Sequence, residues 1–171
     1  MIIKIIGCSV IVLCSLLMGT IYTGNLKLRI KELEGIMYMS EYMSTHIKYD
    51  TLTLRELFDE MSAMKKLEHV RFIFRCSEYM RQGENFPSAF EKAVLYSKKD
   101  MHLHIDDINI IMGLKNDLGA TYIDGQIKTL SLFVIQIEEA LAEAKDEYKK
   151  NGPMYQKLSA LIGLGISILL F

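Results

Sequence analysis

The sequence predicts an all-α protein: a bundle of about six helices flanked by an N-terminal transmembrane helix and a C-terminal apolar helix. Three observations predict it. Apolar residues recur at spacings of three and four along most of the chain, and no period-two alternation persists. Pro87 and Pro153 are the only prolines in 171 residues. Each end carries an uncharged apolar run, Ile5 to Leu26 and Leu158 to Phe171. The expected organisation is an anchor over 1-26, a helical domain over 27-150 and a terminal apolar helix over 151-171, because this length leaves room for one compact core.

The first run holds 22 residues. At about 1.5 Å per residue it reaches roughly 33 Å, enough for a bilayer core of about 30 Å. A cleaved secretory signal has a similar core, but no small-x-small site follows Leu17-Met18-Gly19-Thr20, so a retained anchor is the preferred reading. The second run holds 14 residues. A helix starting near Met154 lets Lys157 snorkel and so gains a turn, which makes it a second span. The alternative is a helix that packs on the domain or lies in the interface; Gly163 and Gly165 permit close helix packing in either case. Lys27, Arg29 and Lys31 follow the first span, and Lys145, Lys149, Lys150 and Lys157 precede the second. By the positive-inside rule these place the domain in the cytoplasm and both termini outside, with Lys4 on the opposite flank.

Between the spans, Leu26, Ile30, Leu33 and Met37, and the parallel set Ile36, Met39, Met43 and Ile47, predict a helix continuing to about Tyr49. Thr53 followed by Glu56 is a capping-box signature, opening a helix with Leu54, Leu57, Phe58 and Met61. A further helix is expected over about Leu67 to Arg81. The run Arg81-Gln82-Gly83-Glu84-Asn85 reads as a turn, and Phe86-Pro87-Ser88 restarts a helix with proline near its first position. Asp106 and Asp107 favour a helix start before Ile108, and that helix is expected to end at Asp117-Leu118-Gly119, with Gly119 placed to supply the left-handed residue. Asp124 opens a long helix whose seam is Ile127, Leu130, Val134, Ile137, Leu141, Ala144 and Tyr148, ended by Asn151-Gly152-Pro153.

Chemistry is sparse. Twenty Lys and Arg against 21 Asp and Glu give a net charge of −1, which points to no polyanionic partner. Lys65-Lys66, Lys98-Lys99 and Lys149-Lys150 are doublets separated by acids, so no nucleic-acid stripe is expected. Cys8, Cys14 and Cys76 form no C-x-x-C pair, and a structural metal or disulfide framework is not expected. His102 and His104 resemble a metal pair, but residues two apart on a helix point about 200° from each other, which favours a helix start. His46 and His69 read as lone histidines within helices. No phosphate loop, nucleophile elbow or zinc-protease motif occurs, and neither an enzyme, a cofactor nor a small-molecule substrate is expected. Met37, Met39, Met43, Met61 and Met64 suit either core packing or an adaptable partner groove. Glu138, Glu139, Glu143, Asp146 and Glu147 read as a solvated face.

Two local patterns carry a family resemblance. Gly113-Leu114-Lys115-Asn116-Asp117-Leu118-Gly119 leads to Gln126-Ile127-Lys128, and Lys150 leads to Tyr155-Gln156-Lys157-Leu158, Gly163-Leu164-Gly165 and Ile168-Leu169-Leu170. With the overall order of anchor, helical middle and apolar tail, the chain resembles the stage III sporulation protein AB family along nearly its whole length. Tyr122 stands where that family tends to have an acid, and Thr121 or Asp124 takes the capping role instead. The resemblance implies structural turn or cap roles for Gly113, Leu118, Gly119, Asp124 and Gln126, and tail packing for Gly163 and Gly165. It further implies a mother-cell membrane protein facing the forespore, a likeness to the platform proteins of type II secretion and type IV pilus systems, and docking of the same complex's ATPase. A membrane-tethered regulator that binds a ligand is the alternative from the residues alone, and an enclosed pocket with converging polar groups distinguishes it.

Overall fold

The computed structural model describes residues 2–49, 52–119 and 122–170, and within them the side chains from Gly7 to Ile168 apart from Cys8. Six α-helices follow in order: α1 (Ile2–Tyr49), α2 (Leu54–Ser62), α3 (Arg71–Arg81), α4 (Phe86–Ser97), α5 (Ile105–Gly113) and α6 (Ile123–Leu170). Short 3-10 turns cover Lys65–Leu67 and Lys98–Asp100, and there is no strand among the described residues. The chain divides into two compact units, Met1–Leu28 with Glu143–Phe171, and Arg29–Ala142.

In the Arg29–Ala142 unit, local sequence sets the short helices. Thr53 caps α2, its backbone N–H donating to Glu56 Oε2 at 2.8 Å while its hydroxyl accepts from the Glu56 N–H. The Thr53 backbone N–H and its hydroxyl, both donating to the carboxylate, hold the exposed Glu56 carboxyl below its ordinary range. The Asn85 side chain caps α4 by accepting from the Ser88 N–H, with proline in the first turn. Gly83, φ +95°, makes the left-handed step between α3 and α4. The core then forms around four phenylalanines: Phe58 of α2, Phe72 of α3, and Phe86 and Phe90 of α4, with ring centroids 5.3 to 6.2 Å apart. Leu33, Ile36, Met39 and Met43 of α1, and Leu130, Phe133 and Ile137 of α6, are also buried.

Three expectations change. The helix expected from Leu67 starts at Arg71, because Leu67 and Val70 both turn into the core and the Val70 N–H bonds the Leu67 carbonyl at 2.9 Å. Val70 sits against Gly35 of α1, where an added Cβ would fall 2.5 Å from its Cγ2. His69 therefore lies in this bend and not within a helix. Second, α6 does not end at Asn151-Gly152-Pro153 but continues through Pro153 to Leu170. Proline has no N–H, so the Lys149 carbonyl loses its helical donor, but one lost bond does not end a helix that packs on both sides of it. Third, the helix expected to end at Asp117-Leu118-Gly119 ends at Gly113, and turns cover 114–119. Met39, Met43 and Met61 are fully buried, in line with core packing, and Met37 and Met64 are half-buried.

The other unit is a pair of helical segments, the first part of α1 and the last part of α6. Small residues mediate its contacts. The Ser15 hydroxyl donates to the Ser159 carbonyl, and a Cβ on Gly163 would lie 3.2 Å from Val12 Cα. A Cβ on Gly19 would lie 3.1 Å from Ser159 Cβ. Tyr22 stacks on Tyr155 with centroids 4.1 Å apart, and Lys27 stands over the Tyr148 ring at 5.6 Å. The large apolar side chains Leu13, Met18, Ile21, Leu161 and Ile168 all point outward.

Candidate functional site

The strongest polar constellation lies in the Arg29–Ala142 unit. Arg29 occupies the apolar face of α1, three residues after Leu26 and four before Leu33, a position that carries it inward. Its Nε and Nη2 donate to the two oxygens of Asp107 at 2.8 and 3.0 Å, and both side chains are only 2% exposed. Asp107 also accepts from the His104 backbone N–H at 2.8 Å, tying the start of α5 to α1. One turn along α1, Glu32 accepts from the His102 backbone N–H at 3.0 Å, with His102 Nδ1 also 3.0 Å from its carboxylate. Burial pushes the Glu32 carboxyl above its ordinary range, against the opposing pull of His102 and Arg71.

This arrangement suits fixing a loop to a helix. Arg29 and Asp107 use their charges on each other, and no group of three or more His, Cys, Asp or Glu able to hold a metal occurs among the described residues. His102 and His104 are thus engaged as an acid's partner and as the residue before α5. Cys76 is buried in α3, which pushes its thiol up to about 12 and leaves it unreactive. Sequence reasoning counted Arg29 among the membrane-flanking cations. The available signal was a charge inside an otherwise apolar stripe.

The turn residues singled out from sequence fall together between α5 and α6. Gly113 ends α5 and has open space around it; Leu118 is buried. Gly119 has φ +80°, the left-handed conformation that disfavours a side chain, and an added Cβ would come 2.9 Å from Leu54 Cδ1. Asp124 is the second residue of α6, where a carboxylate complements the helix dipole, and the Gln126 N–H bonds the Tyr122 carbonyl at 3.1 Å. Thr121, the other expected cap, lies outside the described residues. Tyr122 is 94% exposed. Of the tail glycines, Gly163 makes the close approach to Val12 while Gly165 has no neighbour there, so the packing expected of the pair rests on Gly163.

On the surface, Phe74 and Tyr96 are more than half exposed and line a shallow cavity of about 240 Å³ with Arg71, Arg75, Ser97 and Asp100. The Arg75 guanidinium stands over the Tyr96 ring at 4.5 Å and Arg71 lies 3.6 Å from Asp100. Arg71 is paired with Asp100 and Arg75 with Glu78 outside the lining, unlike the converging donors of an enclosed ligand pocket.

The geometry defines a class: a helical bundle with a buried Arg29–Asp107 ion pair, whose N-terminal helix contains, within Ser9–Tyr49, a window long and apolar enough to cross a membrane. The profile of the family described as "Stage III sporulation protein AB" matches residues 4–171, and the chain belongs to that family. A solved structure titled "Stage III sporulation protein AB (SpoIIIAB)" is similar with a TM-score of 0.65. That likeness covers 71% of this chain and 96% of the other at 14% identity, so it speaks to fold. Comparison with curated proteins gives no match.

Proposed function

We propose that this protein is a non-enzymatic membrane platform of the sporulation complex. Residues 1-26 and 151-171 anchor it, and the 27-150 domain faces the mother-cell cytoplasm to receive the complex's ATPase. The observation that carries the reading is family membership over residues 4–171 combined with an N-terminal helix of membrane-spanning length and composition. Membership supports a part in sporulation; the platform and ATPase roles rest on the family's likeness to secretion and pilus platforms. Within the domain, the turn at Leu118 and Gly119, with Gly113, Asp124 and Gln126 around it, acts as the fixed corner between α5 and α6. Exposed Phe74 and Tyr96 between Arg71 and Arg75 have the aromatic and arginine character of protein contact sites.

Capture of the purified ATPase by the full chain in detergent tests this. Retention at low salt that falls with Phe74→Ala combined with Tyr96→Ala is the expected result. No retention under those conditions overturns the docking role. Labelling of a reporter cysteine at Lys98 in intact, unpermeabilised cells overturns the cytoplasmic orientation.

A further inference from the structure

Between the first part of α1 and the last part of α6 lies a cavity of about 380 Å³, lined by Thr23, Tyr148, Lys149, Gly152, Pro153 and Gln156. Each lining residue has a definite chemical effect. Gly152 leaves the space open, since a Cβ there would already reach 3.4 Å from Thr23 Cγ2. Pro153 denies the Lys149 carbonyl its helical donor, leaving acceptor capacity at the rim. The Thr23 hydroxyl bonds the Gly19 carbonyl at 2.9 Å and lies 3.4 Å from that of Gly152. Lys149 and Gln156 supply an ammonium and an amide, and Lys149 forms no ion pair among the described residues, whereas neighbouring Lys150 is held by Asp146 at 2.6 Å.

Positive charge predominates on the membrane side of the cavity, while Asp146, paired with Lys150, and Glu147 lie on the side of the preceding turn. No acid occurs in 1–28 or from Tyr148 onward, while Lys27, Lys149, Lys150 and Lys157 all fall there. Tyr148 lines the cavity with Lys27 over its ring, and the stacked Tyr22 and Tyr155 directly adjoin the lining residues Thr23 and Gln156 in the chain. Tyrosines and lysines at one level of a helical pair mark the depth at which a bilayer changes from acyl chain to headgroup. A partly apolar cavity at that depth, with an unpaired ammonium, matches a phospholipid whose headgroup is anionic and whose chain follows the helix surface.

We propose that this cavity is a binding site for one anionic phospholipid. Lys149 and Gln156 engage the phosphate, and the space left by Gly152 receives the glycerol and first methylenes. The inference rests on the two-span reading of the chain, so the test separates the two. The full chain is reconstituted into phosphatidylcholine vesicles and floated, then exchanged into detergent with phosphatidylglycerol and phosphatidylcholine in equal amounts; retained lipid is counted by native mass spectrometry.

Flotation with resistance to alkaline extraction, and retention of phosphatidylglycerol well above phosphatidylcholine, are the expected results. Lys149→Gln should reduce that preference about five-fold, the effect of one interfacial lysine. Gly152→Leu should abolish retention by filling the cavity. Millimolar inorganic phosphate should leave retention unchanged; displacement by it would identify a free-phosphate site and overturn the lipid assignment. Flotation with equal retention of the two lipids, or retention indifferent to both Lys149→Gln and Gly152→Leu, overturns the site alone. Failure to float overturns the two-span reading and the site with it.

Discussion

The two units of this protein are held together by opposite means. In Arg29–Ala142, large side chains go inward: four phenylalanines and a set of Leu, Ile and Met residues fill the core, and the charges admitted to it are paired. In the paired segments of α1 and α6, small residues go inward and, Leu26 apart, large apolar ones such as Leu13, Met18, Ile21, Leu161 and Ile168 face out, with Gly163 against Val12 and Gly19 against Ser159. On the two-span reading proposed above, the difference follows from the solvent of each unit. Water drives large apolar groups into a core, whereas lipid offers them no penalty outside and rewards close backbone approach through dispersion instead.

The comparison can be broken most forcefully at Asp107. Asp107→Ala removes the carboxylate that takes two hydrogen bonds from the buried Arg29 guanidinium, and a loss of about 3–5 kcal/mol is expected in urea unfolding of the detergent-solubilised chain. Replacing both residues together, Arg29→Met with Asp107→Leu, should recover most of that. If the single and double variants lose the same amount, the buried charge is not the cause.

A smaller effect sharpens the other side. Gly163→Val pushes a branched side chain into Val12 and should cost about 1–3 kcal/mol of helix association. Gly165→Val, which meets nothing, should cost close to none. The readout is the rate of disulfide formation between Ser15→Cys and Ser159→Cys in a background lacking the native cysteines. Equal slowing by both valines would show that these glycines act through helix propensity and not through contact.

The smallest expected effect concerns Glu32, whose carboxyl is held above its ordinary range by burial. A folded-state value raised above the unfolded one gives a contribution fully present below the ordinary glutamic acid range, lost as pH rises through the raised value. Glu32→Gln should therefore gain on the wild type as pH is raised through and above the ordinary glutamic acid range. A parallel pair of melting curves across that range would remove Glu32 as a source of pH dependence.

What the sequence by itself determined is local or periodic. Spacings of three and four marked α1 and α6, Thr53 with Glu56 marked the start of α2, Pro87 marked the start of α4, and Gly119 marked the left-handed corner. Each depends on residues within a turn or two of one another, so the information is complete in a short window. The family likeness was legible for the same reason, since it lay in short turn and tail patterns and in the order of segments. Only the tertiary structure decided the rest. The helix break at Val70 depends on Gly35 of α1, and the inward place of Arg29 depends on Asp107, 78 residues away. The passage of α6 through Pro153 depends on packing that outweighs one missing hydrogen bond. These outcomes turn on which distant side chain arrives opposite a given position, and no local window of sequence contains that partner.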